Sequence, residues 1–160
     1  MTLKRDANFL NLFIQVTQTI TSSLDPDDVF RLITEKITAI MGVDAATIRL
    51  LDKSGQKLAL RAAQGLSAAY LNRGTIDSEA PIFKALQGDP ITINNAPQDP
   101  RIKFPEATAK EGIQTILVVP IPIRGKITGI LRLLTKKPRT YQQDEIDLVT
   151  AIGEQCGIAI

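Results

Sequence analysis

Phe9, Phe13, Val16 and Ile20 recur at spacings of four, three and four, with Leu10, Ile14 and Thr17 alongside. That period predicts a first helix over about residues 3–22, with the four residues on one stripe. Asp25-Pro26-Asp27-Asp28 reads as a stop and restart, because Asp25 can cap, Pro26 suits the first helical position, and the carboxylates complement the positive helix end. Val29, Ile33, Ile37 and Ile40 then mark a second helix, with Gly42 placed to end it in a left-handed conformation. Beyond it the period changes to that of strands: residues 46–51 and 57–63 flank Asp52-Lys-Ser-Gly55 and predict an antiparallel hairpin.

Residues 64–112 are rich in Gly, Pro, Asn and Asp, with short regular stretches only at Ile82–Leu86, closed by Gly88, and at Pro90–Ile93. A segment of this length is too long for an inert connector, so it is the expected functional surface. Apolar strands return at 113–123 and 126–136 around Arg124-Gly125, and their near-continuous apolar character predicts a sheet covered on both faces. Ile146, Val149, Ile152, Cys156 and Ala159 form the stripe of a last helix from about Gln142. The order predicts an α+β domain, an antiparallel sheet with the terminal helices on one face. One domain spans residues 1–160, with 1–22 as an N-terminal helix and 23–160 as the body. The apolar end at Ile160 is read as the mark of a piece taken from a longer multidomain chain.

Composition removes chemistries. The chain has no histidine and one cysteine, Cys156, so the commonest general base and metal ligand are absent and no internal disulfide forms. Asp77, Glu79, Asp99, Glu106 and Glu111 are scattered through loops without metal-ligand spacing. The net charge is +2 and there is no basic run, so no nucleic-acid footprint is expected. The longest apolar run, Ile116–Ile123, is interrupted by Pro120 and Pro122, where a spanning helix needs about 20 residues. No signal peptide is recognisable, and a cytoplasmic location is expected.

Thr21-Ser-Ser-Leu-Asp25, residues 37–43, residues 46–55, Ala62-Ala-Gln-Gly-Leu66, Ile93-Asn-Asn-Ala-Pro-Gln-Asp-Pro-Arg101, residues 112–122 and Gly129-Ile-Leu-Arg-Leu133 stand in an order that resembles the GAF domain, over about residues 18–160. The resemblance implies a PAS-like fold with a small-molecule pocket under loops and short helices opposite the terminal helices. It also implies a sensory or regulatory module of bacterial signalling type, attached to an output domain in the same chain. Bilin attachment, haem and thiol redox cycling in this family resemble Cys- and His-dependent chemistries that the chain lacks, so no cofactor and no metal are expected and the domain is expected not to be an enzyme. The cyclic-nucleotide signature is matched only in part, by Lys136, Tyr141 and Glu145, without its Asn and second acid.

Candidate ligand residues follow from strand alternation. Placing Ile48, Leu50, Leu58, Leu60 and Ala62 on one face of the first hairpin puts Arg49 and Arg61 on the other, and Arg132 lies mid-strand in the second hairpin. Together they would offer bidentate donors to an anionic small molecule; the alternative for each is an exposed face or a neighbouring acid. Phe83, Phe104 and Tyr70 either wall the cavity or fill a satellite core. Asn94, Asn95 and Asp99 contact ligand or cap loops, and Thr115 presents a hydroxyl inward. The near-heptad first stripe and the last helix point to a homodimer through the terminal helices. The competing function is a dimerisation module whose pocket is filled by Phe83, Phe104 and Leu86.

Overall fold

The computed structural model describes residues 2–22, 24–76 and 81–160. Ser23, Asp77 and Glu79 lie outside the described residues. Helix α1 runs Thr2–Ser22 and helix α2 runs Pro26–Met41. The Asp25 side chain accepts from the Asp27 amide at 3.0 Å, and Gly42 ends α2 at φ +66 with its amide donating to the Thr38 carbonyl. Strands β1 (Ala45–Leu51) and β2 (Leu58–Gln64) form the first hairpin. Short helices α3 (Ala68–Leu71) and α4 (Pro81–Leu86), strand β3 (Ile91–Ile93), a 3-10 turn at Ala96–Gln98 and helix α5 (Pro105–Glu111) make up the middle. Strands β4 (Thr115–Ile123) and β5 (Lys126–Thr135) and helix α6 (Gln143–Ile158) complete the chain. Helices α3 to α5 have four, six and seven residues, too short to leave a periodic signal in the sequence.

The sheet order is β2-β1-β5-β4-β3 and every neighbouring pair is antiparallel. Side-chain alternation splits the core in two. Ile48, Leu50, Leu117, Val119, Ile121, Leu131 and Leu133 pack with residues of α1, α2 and α6, while Ala45, Ile116, Val118, Ile130 and Leu134 pack with Tyr70, Ile76, Leu86 and Ile93 of the middle. No helix among the described residues is long and apolar enough to cross a membrane.

Two expectations are corrected. On α1 the fully buried positions are Leu12 and Val16, with Thr19 beside them, whereas Leu10 and Ile14 are 62% and 44% exposed. The seam is therefore centred on Leu12 and Val16, with Phe9 and Ile20 of the expected stripe partly buried against the same core, because α1 packs into the angle between α2 and α6. In the first hairpin, Ile48 pairs with Ala62 but Arg49 pairs with Leu60, so Arg61 is an extra residue in β2. Such a bulge inverts the alternation beyond it. Leu58 thereby joins the core of the middle, Leu60 reaches the surface, and Arg61 and Arg49 take opposite sides of the sheet.

Candidate functional site

Arg49 on β1 and Arg132 on β5 stand on the sheet face that looks toward the middle of the chain, and they are only 5% and 6% exposed. Register places Thr47 opposite Arg132, with Arg49 two residues along the same strand. Arg49 Nη1 donates to the Leu58 carbonyl at 3.1 Å, and Arg132 Nη2 donates to Tyr70 Oη at 3.4 Å. Thr47 Oγ1, Arg49 Nε and Arg132 Nε are buried and have no hydrogen-bond partner. Orphaned buried donors are rare, and each costs about 1–3 kcal/mol.

Tyr70 covers this floor from α3, which is held by its N-cap. Ser67 Oγ accepts from the Tyr70 amide at 3.1 Å, while Glu111 at the end of α5 accepts from both the Ser67 amide and hydroxyl, at 2.8 and 2.6 Å. Arg73 follows α3 and lies 4.0 Å over the Tyr70 ring, with Nη1 donating to the Tyr70 carbonyl at 2.8 Å. A third guanidinium thus approaches the same phenol. Among the described residues, no carboxylate pairs with Arg49, Arg73 or Arg132.

The electrostatics follow from that crowding. Burial, then the charges of Arg73 and Arg132, push Arg49 down to about 10. Burial also lowers Arg73, with Arg132 adding to the effect against the opposing pull of Tyr70. Burial alone would raise the Tyr70 phenol, but Arg132 and Arg73 outweigh it and hold the phenol below the ordinary tyrosine value.

A chamber of about 30 Å³ lies between these groups, lined by Tyr70, Arg73, Ile82, Phe104, Thr108 and Arg132, among others. It has room for about one water. Arg73, Lys103 and Phe104 also line an open bay of about 390 Å³, completed by Pro105, Glu106 and Ala107. These three side chains are therefore the partition between chamber and bay. Gly74 lets the Phe104 ring lie against the backbone, where a Cβ would collide with it. Lys103 Nζ donates to the Thr75 carbonyl at 2.7 Å, and Arg101, also on the chamber wall, is held by both oxygens of Asp99.

Of the residues expected from sequence, Arg132 and Phe104 line the chamber with Tyr70, and Arg49 stands beside them on the same sheet face without lining it. Phe83 is half-buried in the adjoining core of the middle and does not line the chamber. Arg61 is on the helix side of the sheet, paired with Asp27 at 2.6 Å and 5.5 Å from the Phe30 ring centre. Asn94 and Thr115 sit together in a different surface bay with Arg139, whose amide donates to Thr115 Oγ1 at 3.1 Å. Sequence reasoning missed Thr47, Arg73, Arg101 and Lys103. The last two stand in the run Asp99-Pro-Arg-Ile-Lys-Phe104, a basic pair inside the irregular middle that could have marked them. No cluster of three or more His, Cys, Asp or Glu able to hold a metal occurs among the described residues. Cys156 is buried on the helix side and burial pushes its thiol up to about 12, which leaves it without nucleophilic character at neutral pH.

The sequence profile of the GAF domain family matches residues 23–160. The chain belongs to the GAF domain family. A search of curated proteins found no match. Among solved structures, the GAF domain of an Acinetobacter phosphoenolpyruvate-protein phosphotransferase is 24% identical, with 94% of this chain and 90% of that one covered and a TM-score of 0.79. The GAF domain of a phosphoenolpyruvate-protein phosphotransferase from Coxiella burnetii is 20% identical, with 96% and 92% covered and a TM-score of 0.83. The phycoerythrobilin-bound GAF domain of a cyanobacterial phytochrome is 16% identical, with 96% and 95% covered and a TM-score of 0.75. At these identities the likeness is one of fold, and it extends over nearly the whole of each chain.

Proposed function

We propose that this GAF domain is a cytoplasmic sensory or regulatory module that takes a small anion between Tyr70, Arg49 and Arg132 and relays its occupancy to an output domain in the same, longer chain. The observation that carries this reading is the gathering of Arg49, Arg73 and Arg132 around Tyr70 with no carboxylate partner among the described residues. Buried charge without a partner costs several kcal/mol, so an empty site of this kind stores energy that an anion releases on binding. Strand alternation supplies the relay. Thr47 and Arg49 stand on the same sheet face as Arg132, which lines the chamber, while Ile48 and Leu50, between and beside them on β1, pack against the helix-side core that includes Leu12, Val16, Val149 and Ile152. A shift of β1 on anion binding is therefore felt by α1 and α6, the helices suited to homodimer contact and to continuation into an output domain.

The test is a thermal-melting screen against small anions, with Arg132→Met beside the parent. A rise in melting temperature that the variant loses supports the reading, and no response to any anion removes it. The small chamber and the exposed Leu10 and Ile14 favour a second reading, a dimerisation module with no ligand. Native mass spectrometry separates the two, since the second gives a dimer that carries no added mass under any anion supplied.

A further inference from the structure

The donor set around the chamber says more than that its occupant is negative. We infer that the occupant is a phosphoryl group, carried as inorganic phosphate or as the head of a small phosphate monoester, an inference that rests on the anion reading above. Three features of the site select it.

Geometry is the first. Thr47 Oγ1, Arg49 Nε and Arg132 Nε are orphaned donors on the sheet floor, and the Tyr70 hydroxyl and the Arg73 guanidinium approach from α3 and the segment after it. A planar carboxylate is satisfied by one guanidinium fork lying in its plane, whereas donors spread over floor and roof match oxygens arranged tetrahedrally. Charge is the second. With three guanidiniums and no partner carboxylate among the described residues, a monoanion leaves two charges uncompensated, and a phosphoryl group carries about −1.5 to −2 at neutral pH. Size is the third. A dicarboxylate reaches the same charge only by adding a carbon spacer, whereas a phosphoryl group concentrates its charge on one atom and so needs the smaller enlargement of the chamber of about 30 Å³ when Arg73 turns aside.

The bay outside the partition then takes the remainder of an ester. Arg73, Lys103 and Phe104 stand between the two spaces, and with Arg73 given to the phosphoryl group the bay is left with one cation, Lys103, and one anion, Glu106, which suits an uncharged remainder. A monoester with a neutral, hydroxyl-bearing remainder fits this division. Arg73, on the segment after α3 rather than on a sheet strand, is the side chain that must turn aside to admit it.

Isothermal titration calorimetry in a chloride buffer tests this, with inorganic phosphate, glycerol phosphate, acetate and succinate as the probes. Phosphate and glycerol phosphate should bind and the two carboxylates should not. A remainder seated in the bay makes the ester about tenfold tighter than phosphate, whereas equal affinity identifies free phosphate as the occupant. Arg132→Met should weaken both by about 100-fold, Arg73→Gln should weaken the ester more than phosphate, and Arg61→Ala should bind as the parent does. Circular dichroism establishes that each variant is folded. Succinate or acetate binding that Arg132→Met abolishes, without phosphate binding, overturns the phosphoryl inference and leaves the anion reading standing. Silence from all four probes overturns both, and phosphate binding untouched by Arg132→Met and Arg73→Gln overturns the placement of the site.

Discussion

Thr47 on β1 lies directly opposite Arg132 on β5, and each carries a buried polar atom with no hydrogen-bond partner. Two such atoms at adjoining positions of one sheet face mark a place where stability has been given up. The rest of that face is filled by Ala45, Ile116, Val118, Ile130 and Leu134, the residues a stable core calls for.

Replacing Arg132 by Met should therefore stabilise the empty domain. The change removes a buried guanidinium whose hydrogen bond to Tyr70 is long, at 3.4 Å, and it keeps the volume of the side chain roughly intact. A gain of about 1–3 kcal/mol is expected, as for other buried charges exchanged for apolar groups. Denaturant melts without added anion measure it. A variant less stable than the parent would give Arg132 a structural role and count against a binding one.

Arg49 makes the same argument testable by pH. Its value of about 10, against 12.5 unperturbed, corresponds to a penalty of about 3 kcal/mol for keeping the charged form buried. The penalty is complete below about pH 10, where the guanidinium is charged in folded and unfolded chains alike. Above that point the folded chain releases its proton first while the unfolded chain still holds one, so the penalty shrinks as pH rises. Arg49→Met should exceed the parent in stability at pH 7 by about 2 kcal/mol, after losing the bond to the Leu58 carbonyl, and the gap should narrow above pH 10. Paired urea melts at pH 8 and above pH 10 would show whether it does.

Arg61 serves as the contrast. Its pair with Asp27 is partly exposed, at 33% and 58% side-chain exposure, and its guanidinium rests over Phe30. Arg61→Ala should cost no more than about 1 kcal/mol and leave anion titrations unchanged. A lost anion response would place Arg61 in the site despite the bulge that turns it away.

That bulge also shows how far the sequence could be read. Helix boundaries at Asp25-Pro26 and Gly42, the hairpin turn at Asp52–Gly55 and the apolar strands 113–136 were legible because caps, turns and hydrophobic period are local. Arg49 and Arg132 were legible as charges inside strands. Arg61 was not, since the extra residue between Ala62 and Leu60 leaves no mark in composition and flips every assignment made by counting in twos. Arg73 and Thr47 were hidden for another reason. Thr47 matters for a buried hydroxyl left without a hydrogen bond and Arg73 for a guanidinium brought over Tyr70 with no carboxylate partner among the described residues, and both are properties of the assembled site and not of any stretch of chain.

Gly153 and Gly157 on α6 test how closely that helix is seated. A Cβ at Gly157 would run into the Pro122 carbonyl, and one at Gly153 would come within 2.5 Å of the Pro120 carbonyl. Ala is the better helix former by about 1 kcal/mol, so an exposed site would gain from the exchange. Here Gly157→Ala should lose about 1–3 kcal/mol by pushing α6 off β4. Because α6 is one of the two helices proposed to carry the signal, the same variant should also weaken the proposed coupling between anion binding and α6. A melting temperature equal to or above that of the parent would show that α6 has freedom to shift.

Leu10 and Ile14 stand one turn apart on α1, 62% and 44% exposed, on a helix whose opposite side is buried by Leu12 and Val16. Two large apolar side chains at this spacing form a stripe that, in the proposed homodimer, a second α1 would cover by the same residues, as a two-fold contact requires. Leu10→Glu with Ile14→Glu should convert a dimer to a monomer, because burying the introduced carboxylates in that contact is prohibitive. Both positions face solvent within one chain, so the monomer's own melting temperature should move little, by about 0.5 kcal/mol in stability terms. Light scattering on parent and variant measures the change in mass. A parent that is already monomeric at high concentration would remove α1 as the dimer contact, leaving Leu10 and Ile14 as isolated surface residues.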